Sequence, residues 1–376
     1  MGLLGRREFL AALPAAQIFR APVNTRPAPA PPRKAPVTTE AKRYADPLTE
    51  REVWRLTPLT NPHYLPHSYQ HFASEKNSFL LLAGERDGAP QVFRLELPSA
   101  RLAQVSRGPG VAPFSICLAP DERSFFFLQD RSLKQVGLRT LKEREIWRVE
   151  EGWEPGGDLG VSIDGRCAAL VEQGPGTWRI RVVETFKGKN WIVAEEKVRL
   201  SRPQLRPKRD QVLYCQDGPS RLRLVNLDGK QKQALRPPQG DEQLGPEYWT
   251  GDGKLIGYVH YPDQSLRRAT IRALNPDTRE ETVLGRCTQF WDAMGNADNS
   301  AIVGESRSKA GPNIYVLFPL TGREITVCEH SSSRRNEKAE PRPSFSPDSQ
   351  WIYFTSDREG VPAVYRAGVS DWVEKT

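Results

Sequence analysis

The sequence predicts an all-β protein, a seven-bladed β-propeller with four-stranded blades, on three observations. A turn followed by a run of β-branched and aromatic residues recurs, and its best-defined copy is Ser346–Asp348 before Trp351–Thr355. The turn motif occurs seven times. Its fourth residue is Glu75, Asp121, Asp164, Lys208, Asp252, Asp298 and Asp348 in the successive copies. Their spacings of 46, 43, 44, 44, 46 and 50 residues are typical of one blade per repeat.

The first residues of the chain are predicted to direct export. Arg6 and Arg7, followed by Phe9-Leu10 and an apolar stretch, match a bacterial twin-arginine signal, and the alternative is an ordinary secretory signal. Residues 1–21 are therefore predicted to be the signal segment, 22–43 a proline-rich linker, and 44–376 the propeller. This organisation predicts a periplasmic or secreted protein.

Composition excludes some functional classes. The net charge is +8, but residues 1–46 contribute +5 of it, so the remaining body is only weakly basic and no nucleic-acid partner is predicted. The chain has no apolar run of 18 or more residues, and no membrane span is predicted. The five cysteines are scattered without Cys-x-x-Cys spacing, which predicts neither a disulfide framework nor a zinc site.

The ends of the propeller are predicted to meet in one blade. Val53–Thr57 has a strand pattern but precedes the first repeat, so we expect it to form the outer strand of the last blade. The longest inserts, residues 59–70 and 329–343, precede the first and last turn motifs. Long inserts on a regular scaffold are where function usually resides.

The repeat also predicts which residues face the central channel. Positions three residues before each turn motif should be equivalent and lie near the start of each innermost strand. They are Tyr69, Ser115, Asp158, Arg202, Pro246, Asp292 and Arg342. Two arginines among them suit an anionic ligand, and the alternative is that polar residues merely solvate a wet channel mouth.

Several motifs, in the right order along the chain, resemble those of oligogalacturonate lyases. They are Arg55–Thr57 with Tyr69-Gln70, Tyr214–Pro219, Gly245–Gly253, Pro341–Asp348 and Phe354–Tyr365. The resemblance implies a seven-bladed propeller that cleaves short oligouronates by β-elimination. It also implies a metal, typically manganese, that binds the substrate carboxylate, and a basic side chain that removes the C5 proton.

The chain departs from the ligand set that the resemblance implies, three histidines and a glutamine. Pro246, Glu337, Glu340 and Arg342 stand at the family's ligand positions, and Gln216 replaces another histidine. The five histidines, His63, His67, His71, His260 and His330, fall elsewhere. We therefore predict no metal and no cofactor, because imidazoles are missing where the metal would bind. The four-residue spacing of His63, His67 and His71 resembles a helical metal motif, but Pro62 and Pro66 disfavour a helix there.

The candidate site residues follow from the axial positions and from the resemblance. Arg206 matches a family arginine and is the catalytic candidate. The substrate-binding candidates are Arg342, Arg202, Tyr69, His67, Trp249, Gln216 and Glu340. Arg342 is expected to hold a uronate carboxylate in place of the metal, or else to pair with Glu340 or Glu337.

Three functions remain open at this stage. The first is a lyase that acts on short oligouronates in pectin degradation without the usual metal. The second is a non-catalytic relative that binds an acidic sugar. The third is a scaffold for protein partners of the TolB type. The first two predict an anionic oligosaccharide as the partner.

Overall fold

The computed structural model describes residues 33, 35–218, 221–237, 239–265, 268–287, 290–308 and 311–376. The predicted signal segment and most of the predicted linker lie outside these residues, so export stays a prediction. One compact unit spans Pro32–Thr376. Within the described residues, no helix has the length and apolarity that crossing a membrane requires.

In the described part of the chain, thirty strands form seven antiparallel sheets, and the first four blades are consecutive. Three strands precede them: β1 (Val37–Thr38), β2 (Lys42–Ala45) and β3 (Glu52–Arg55). Blade 1 contains β4 (His63–Tyr64), β5 (Phe79–Arg86), β6 (Ala89–Glu96) and β7 (Arg101–Gln104). Blade 2 contains β8 (Cys117–Leu118), β9 (Ser124–Gln129), β10 (Ser132–Gly137) and β11 (Glu143–Arg148). Blade 3 contains β12 (Glu154–Val161), β13 (Cys167–Gly174), β14 (Thr177–Glu184) and β15 (Asn190–Glu196). Blade 4 contains β16 (Leu200–Leu205), β17 (Gln211–Gln216), β18 (Leu222–Asn226) and β19 (Gln233–Ala234).

The last three blades follow the same order and complete the seven-bladed β-propeller that the sequence predicts. Blade 5 contains β20 (Gln243–Trp249), β21 (Ile256–Tyr261), β22 (Ala269–Leu274) and β23 (Glu281–Cys287). Blade 6 contains β24 (Phe290–Gly295), β25 (Ile302–Ser306), β26 (Asn313–Phe318) and β27 (Arg323–Glu329). Blade 7 contains β28 (Ser344–Phe345), β29 (Trp351–Ser356) and β30 (Ala363–Gly368), and a short 3₁₀ helix, Glu337–Ala339, precedes it.

The two ends of the propeller meet in blade 7. β3 pairs antiparallel with β30, with Val53 opposite Ala367, and β2 adds a fifth strand outside β3. β1 pairs with β7 and so extends blade 1. The predicted closure is confirmed, and the paired strands begin at Val37, within the stretch 22–43 that the sequence analysis assigned to a linker. Closure leaves fewer unpaired edges in the ring.

The hydrophobic core lies between blades. One buried cluster joins Leu81 of blade 1 to Phe125 of blade 2, and another joins Val303 of blade 6 to Phe354 of blade 7. Alternation along each strand directs apolar residues to the neighbouring blade on both faces, so the core is divided into thin layers.

The insert before blade 7 is fixed by a buried histidine. The His330 Nε2–H donates to the carbonyl of Ser306 at 3.0 Å, and Nδ1 accepts from the backbone N–H of Ser332 at 3.0 Å. This pattern requires the neutral ring, because a second ring proton would face the Ser332 donor. Burial lowers the pKa of His330 to about 4.

We expect acid to destabilise the protein through His330. Its pKa is lower in the folded state than in the unfolded chain. The stability that the neutral ring contributes is therefore present above about pH 6.5 and is lost as the pH falls toward 4. The loss should be on the order of 2 kcal/mol by pH 4.5, from about 1.4 kcal/mol per pKa unit. Urea unfolding at pH 7 and 4.5 measures it, and His330→Gln should reduce the difference. An unchanged difference would contradict a neutral His330.

Candidate active site

The innermost strands of blades 3 to 6 share a distortion that positions polar side chains. Their pairing shifts register at Pro155/Leu159, Ser201/Gln204, Leu244/Glu247 and Phe290/Ala293. The predicted axial residues Asp158, Arg202, Pro246 and Asp292 all lie inside these interruptions. A β-bulge bends its strand and changes the direction of its side chains. This explains why charged side chains can occur at these positions of the innermost strands without entering the apolar packing between blades.

Two axial arginines have unusual backbone conformations. Arg202 has φ +53° and Arg342 has φ +45°, in the left-handed region that side chains with a Cβ rarely adopt. Such a conformation costs free energy, on the order of 1 kcal/mol or more, and persists only where surrounding contacts enforce it. Both arginines are therefore held in place by the fold, not by their own preference.

His67 lies in an aromatic and charged environment between β4 and β5. Its Nε2 is 3.4 Å from Oδ1 of Asp158, its ring stacks on Tyr69 at 5.4 Å, and it contacts the ring of Phe114 at 5.5 Å. Burial lowers the pKa of His67, Asp158 acts in the opposite direction, and Arg342 and Arg202 lower it further. Burial also raises the pKa of Tyr69.

Arg202 lies among several of these axial side chains, but its charge is already paired. Its Nε donates to Oε1 of Glu247 at 2.8 Å, its backbone N–H donates to Oδ2 of Asp158 at 3.0 Å, and its guanidinium lies 4.6 Å from the Tyr69 ring. Glu247 is fully buried and also accepts from the Cys215 thiol at 2.9 Å. Burial would raise the pKa of Glu247, but the arginines outweigh it and lower that pKa.

Arg342 is buried without a buried carboxylate partner. Its Nη1 donates to the carbonyl of Glu337 at 2.6 Å, and its Nη2 lies 3.5 Å from Oε1 of the same residue. The Arg342 side chain is 7% exposed and that of Glu337 is 63% exposed. The guanidinium also lies 4.2 Å from the Phe114 ring. Burial lowers the pKa of Arg342, although the nearby carboxylates act in the opposite direction, with Glu337 the largest of them.

A second charged group flanks the axial residues on blades 6 and 7. Arg334 donates to Glu305 at 2.7 Å and to Glu340 at 2.5 Å, so the Glu340 carboxylate already has a cationic partner. Asp292 accepts from the Ser68 hydroxyl at 3.3 Å. Burial, with the nearby Asp292 charge, raises the pKa of Glu305 to about 8 although Arg334 opposes the shift. Of the two predicted partners, Arg342 therefore pairs with Glu337.

Arg206 and Trp249 lie at the other end of the innermost strands. Arg206 follows the last residue of β16, four residues after Arg202, which corresponds to about 13 Å along a strand. Its guanidinium donates to the carbonyl of Gly253 at 2.8 Å, and its Nη2 donates to Asp277 at 2.7 Å. The same guanidinium lies 5.2 Å from the Trp249 ring. These contacts hold both side chains in the walls of blades 4 and 5, and a catalytic role for Arg206 and a substrate-binding role for Trp249 stay predictions.

Gln216 lies at the same end as Arg202. It is the last residue of β17, opposite Leu200 at the start of β16, and its buried Oε1 has no hydrogen-bond donor among the described residues. Of the predicted site residues, the Tyr69 ring contacts both His67 and Arg202. Arg342 joins them through Phe114, which also contacts His67. Sequence reasoning missed Glu247 and Phe114, although each directly neighbours a predicted axial position.

A known protein family matches nearly all of the predicted propeller. The family model described as oligogalacturonate lyase matches residues 32–179 and 174–373. The chain belongs to the oligogalacturonate lyase family. It is 28% identical to an oligogalacturonate lyase of Dickeya dadantii, over 88% of this chain and 96% of the relative.

Solved structures of the oligogalacturonate lyase family share the fold. An oligogalacturonate lyase in complex with manganese superposes with a TM-score of 0.84 at 27% identity, covering 89% of this chain and 97% of that one. The oligogalacturonate lyase of Vibrio parahaemolyticus gives 0.83 at 28% identity, over 89% and 98% of the two chains.

The residues present in this family member do not fit a manganese site. Glu340 is already bound by Arg334 and lies 3.8 Å from Arg307, and the Arg342 guanidinium adds a further positive charge. Manganese prefers oxygen and imidazole donors, and nearby guanidinium charges repel a cation. In the described part of the chain, no group of three or more His, Cys, Asp or Glu could hold a metal ion.

Proposed function

We propose that the protein is an oligouronate lyase that grips the substrate carboxylate with Arg342 instead of a metal. The supporting observation is the buried Arg342 guanidinium, whose one ion-pair partner within 4 Å among the described residues is the exposed Glu337. An arginine can hold a carboxylate through two parallel hydrogen bonds. The names of the relatives suggest short oligogalacturonates as the substrates.

Arg342 suits the charge changes of β-elimination. Removal of the C5 proton transfers negative charge onto the adjacent carboxylate, so a fixed positive charge at that carboxylate stabilises the transition state. The site on blade 7 is largely buried, and electrostatic interactions are stronger there than in water. A guanidinium is a weaker electrophile than a divalent metal, so slower turnover than in a metal-dependent lyase is expected.

A second candidate function is binding of acidic sugars without turnover. It is favoured by the pairing of Arg202 with the buried Glu247, which leaves one axial arginine to stabilise the developing charge. Both functions require the same carboxylate contact and differ only in the product. The unsaturated product of β-elimination absorbs in the ultraviolet, so one assay separates the two.

We expect Arg342→Ala to weaken binding of short oligogalacturonates at least 30-fold in excess chelator, as titration calorimetry would measure. Loss of one partner of a desolvated charge pair costs about 2 to 5 kcal/mol, which corresponds to this factor or more. Arg342→Lys should be intermediate, because lysine keeps the charge without the paired hydrogen bonds. Ultraviolet absorbance of the same mixtures reports turnover.

Arg206→Ala is the matched control, since it removes a buried arginine at the other end of the strands. It should leave affinity within about twofold. Unchanged affinity in Arg342→Ala, or loss of binding in chelator, would show that Arg342 does not replace the metal. Binding by the wild type without any unsaturated product would support the non-catalytic function instead.

A further inference from the structure

We infer that His67, positioned by Asp158, is the general base that removes the substrate's C5 proton; this rests on the proposed lyase function. A base for this step must be unprotonated at working pH yet more basic than an ordinary carboxylate, and it must lie beside the group that binds the substrate carboxylate, because C5 is bonded directly to the carboxylate carbon. Among the described residues of the axial end, His67 combines both properties.

Asp158 sets the tautomer of His67. Its Oδ1 lies 3.4 Å from Nε2, which favours the neutral tautomer whose proton is on Nε2 and faces the carboxylate. Asp158 is itself fixed, since its Oδ2 accepts the backbone N–H of Arg202 at 3.0 Å in the strained β16 bulge. No hydrogen bond within the described residues occupies Nδ1 of His67, which therefore remains available as the accepting atom.

Phe114 brings His67 and Arg342 together. The His67 ring lies 5.5 Å from the Phe114 ring, and the Arg342 guanidinium lies 4.2 Å from the same ring. Arg342 is also close enough to His67 for its charge to lower the pKa of the imidazole, so a carboxylate bound by Arg342 would bring its C5 to the neighbourhood of His67. Stacking on Tyr69 fixes the plane of the ring, and 14% of the His67 side chain stays exposed.

Several charged or titratable groups act on His67. Asp158 raises its pKa, and Arg342 and Arg202 lower it together with burial, so the ring is neutral at pH 7. Tyr69 stays protonated in the neutral range, because burial raises its pKa. The two arginines thus favour the form of His67 that can accept a proton.

The reaction balances without an oxidant or a metal. Nδ1 takes the C5 proton, the electrons of the C5–H bond form the C4=C5 double bond, and the C4–O4 bond breaks. The departing glycosidic oxygen keeps the electron pair of that bond and takes a proton from water. The imidazolium returns its proton to solvent. One oligouronate becomes two shorter chains, and one of them is unsaturated.

The test compares His67→Gln with His71→Gln in the full chain. With short oligogalacturonates in excess chelator, His67→Gln should lower turnover 100-fold or more, as expected for loss of a general base, with affinity changed less than threefold. His71 lies on the same segment, and its Nδ1 is 3.3 Å from the carbonyl of Leu118 on the neighbouring blade, so His71→Gln should keep turnover within twofold.

The pH dependence separates catalysis from a structural role. Turnover of the wild type should decrease in acid, at a pH below 6.5, because His67 becomes protonated there. Asp158→Asn should move this acidic limb to lower pH, since the carboxylate raises the pKa of His67. Equal turnover by His67→Gln and the wild type, or an acidic limb unmoved in Asp158→Asn, would overturn the inference while leaving the lyase function intact. A wild type that forms no unsaturated product would overturn both.

Discussion

Deleting residues 366–376 is expected to lower the free energy of unfolding by roughly 5 kcal/mol or more, enough to unfold many domains. The deletion removes half of β30, including the ladder between Ala367 and Val53 that closes the ring. It also removes Val369 and Val373, which are 0% and 3% exposed. Burying each valine contributes about 1.5 to 3 kcal/mol, and the lost strand pairing adds to this.

Removal of residues 1–31 is the matched control at the other terminus. All described strands begin at Val37 or later, so this truncation should change stability by less than about 1 kcal/mol. Urea unfolding of the two truncated proteins measures the difference. Similar losses would mean that β3 and β30 do not close the ring.

Glu172→Gln is expected to destabilise blade 3 by about 3 to 5 kcal/mol, because it leaves two buried arginines without their buried charged partner. Glu172 is fully buried and binds the Nε atoms of Arg179 and Arg181, the second at 2.9 Å. Trp153 lies 3.7 Å from the Arg179 guanidinium and Trp147 lies 4.8 Å from that of Arg181. These aromatic rings exclude the water that would otherwise solvate the cations.

Glu150→Gln provides the control within the same network. Glu150 also binds both arginines, at 2.8 and 3.0 Å, but its side chain is 50% exposed. Water can replace much of its interaction, so the expected loss is about 1 kcal/mol or less. Both variants replace a carboxylate that binds the same two arginines, and they differ only in how buried that carboxylate is. Equal losses in urea unfolding at an unchanged m-value would show that burial does not set the energy of this network.

The architecture could be predicted because it depends on local and periodic signals. The backbone preferences of each turn motif favour a turn that leads into a strand. The motif repeats about every 45 residues, and the number of its copies gives the number of blades. The position of Val53 before the first repeat predicted the closure with β30 for the same reason. Equivalent positions in the repeats also predicted Asp158, Arg202 and Asp292 as axial residues, and the bulges of β12, β16 and β24 lie there.

The contacts of the site could not be predicted, because they join residues that are distant in sequence. Arg202 and Arg206 are neighbours in one motif, yet strand geometry separates them toward opposite ends of the channel, and only the ion pair with Asp277 reveals the structural part that Arg206 has. His67 and Asp158 meet because the ring brings blades 1 and 3 to a common axis. The sequence by itself determined the number and order of the blades, while the ring geometry decided which charges are buried together and which, like that of Arg342, have only an exposed partner.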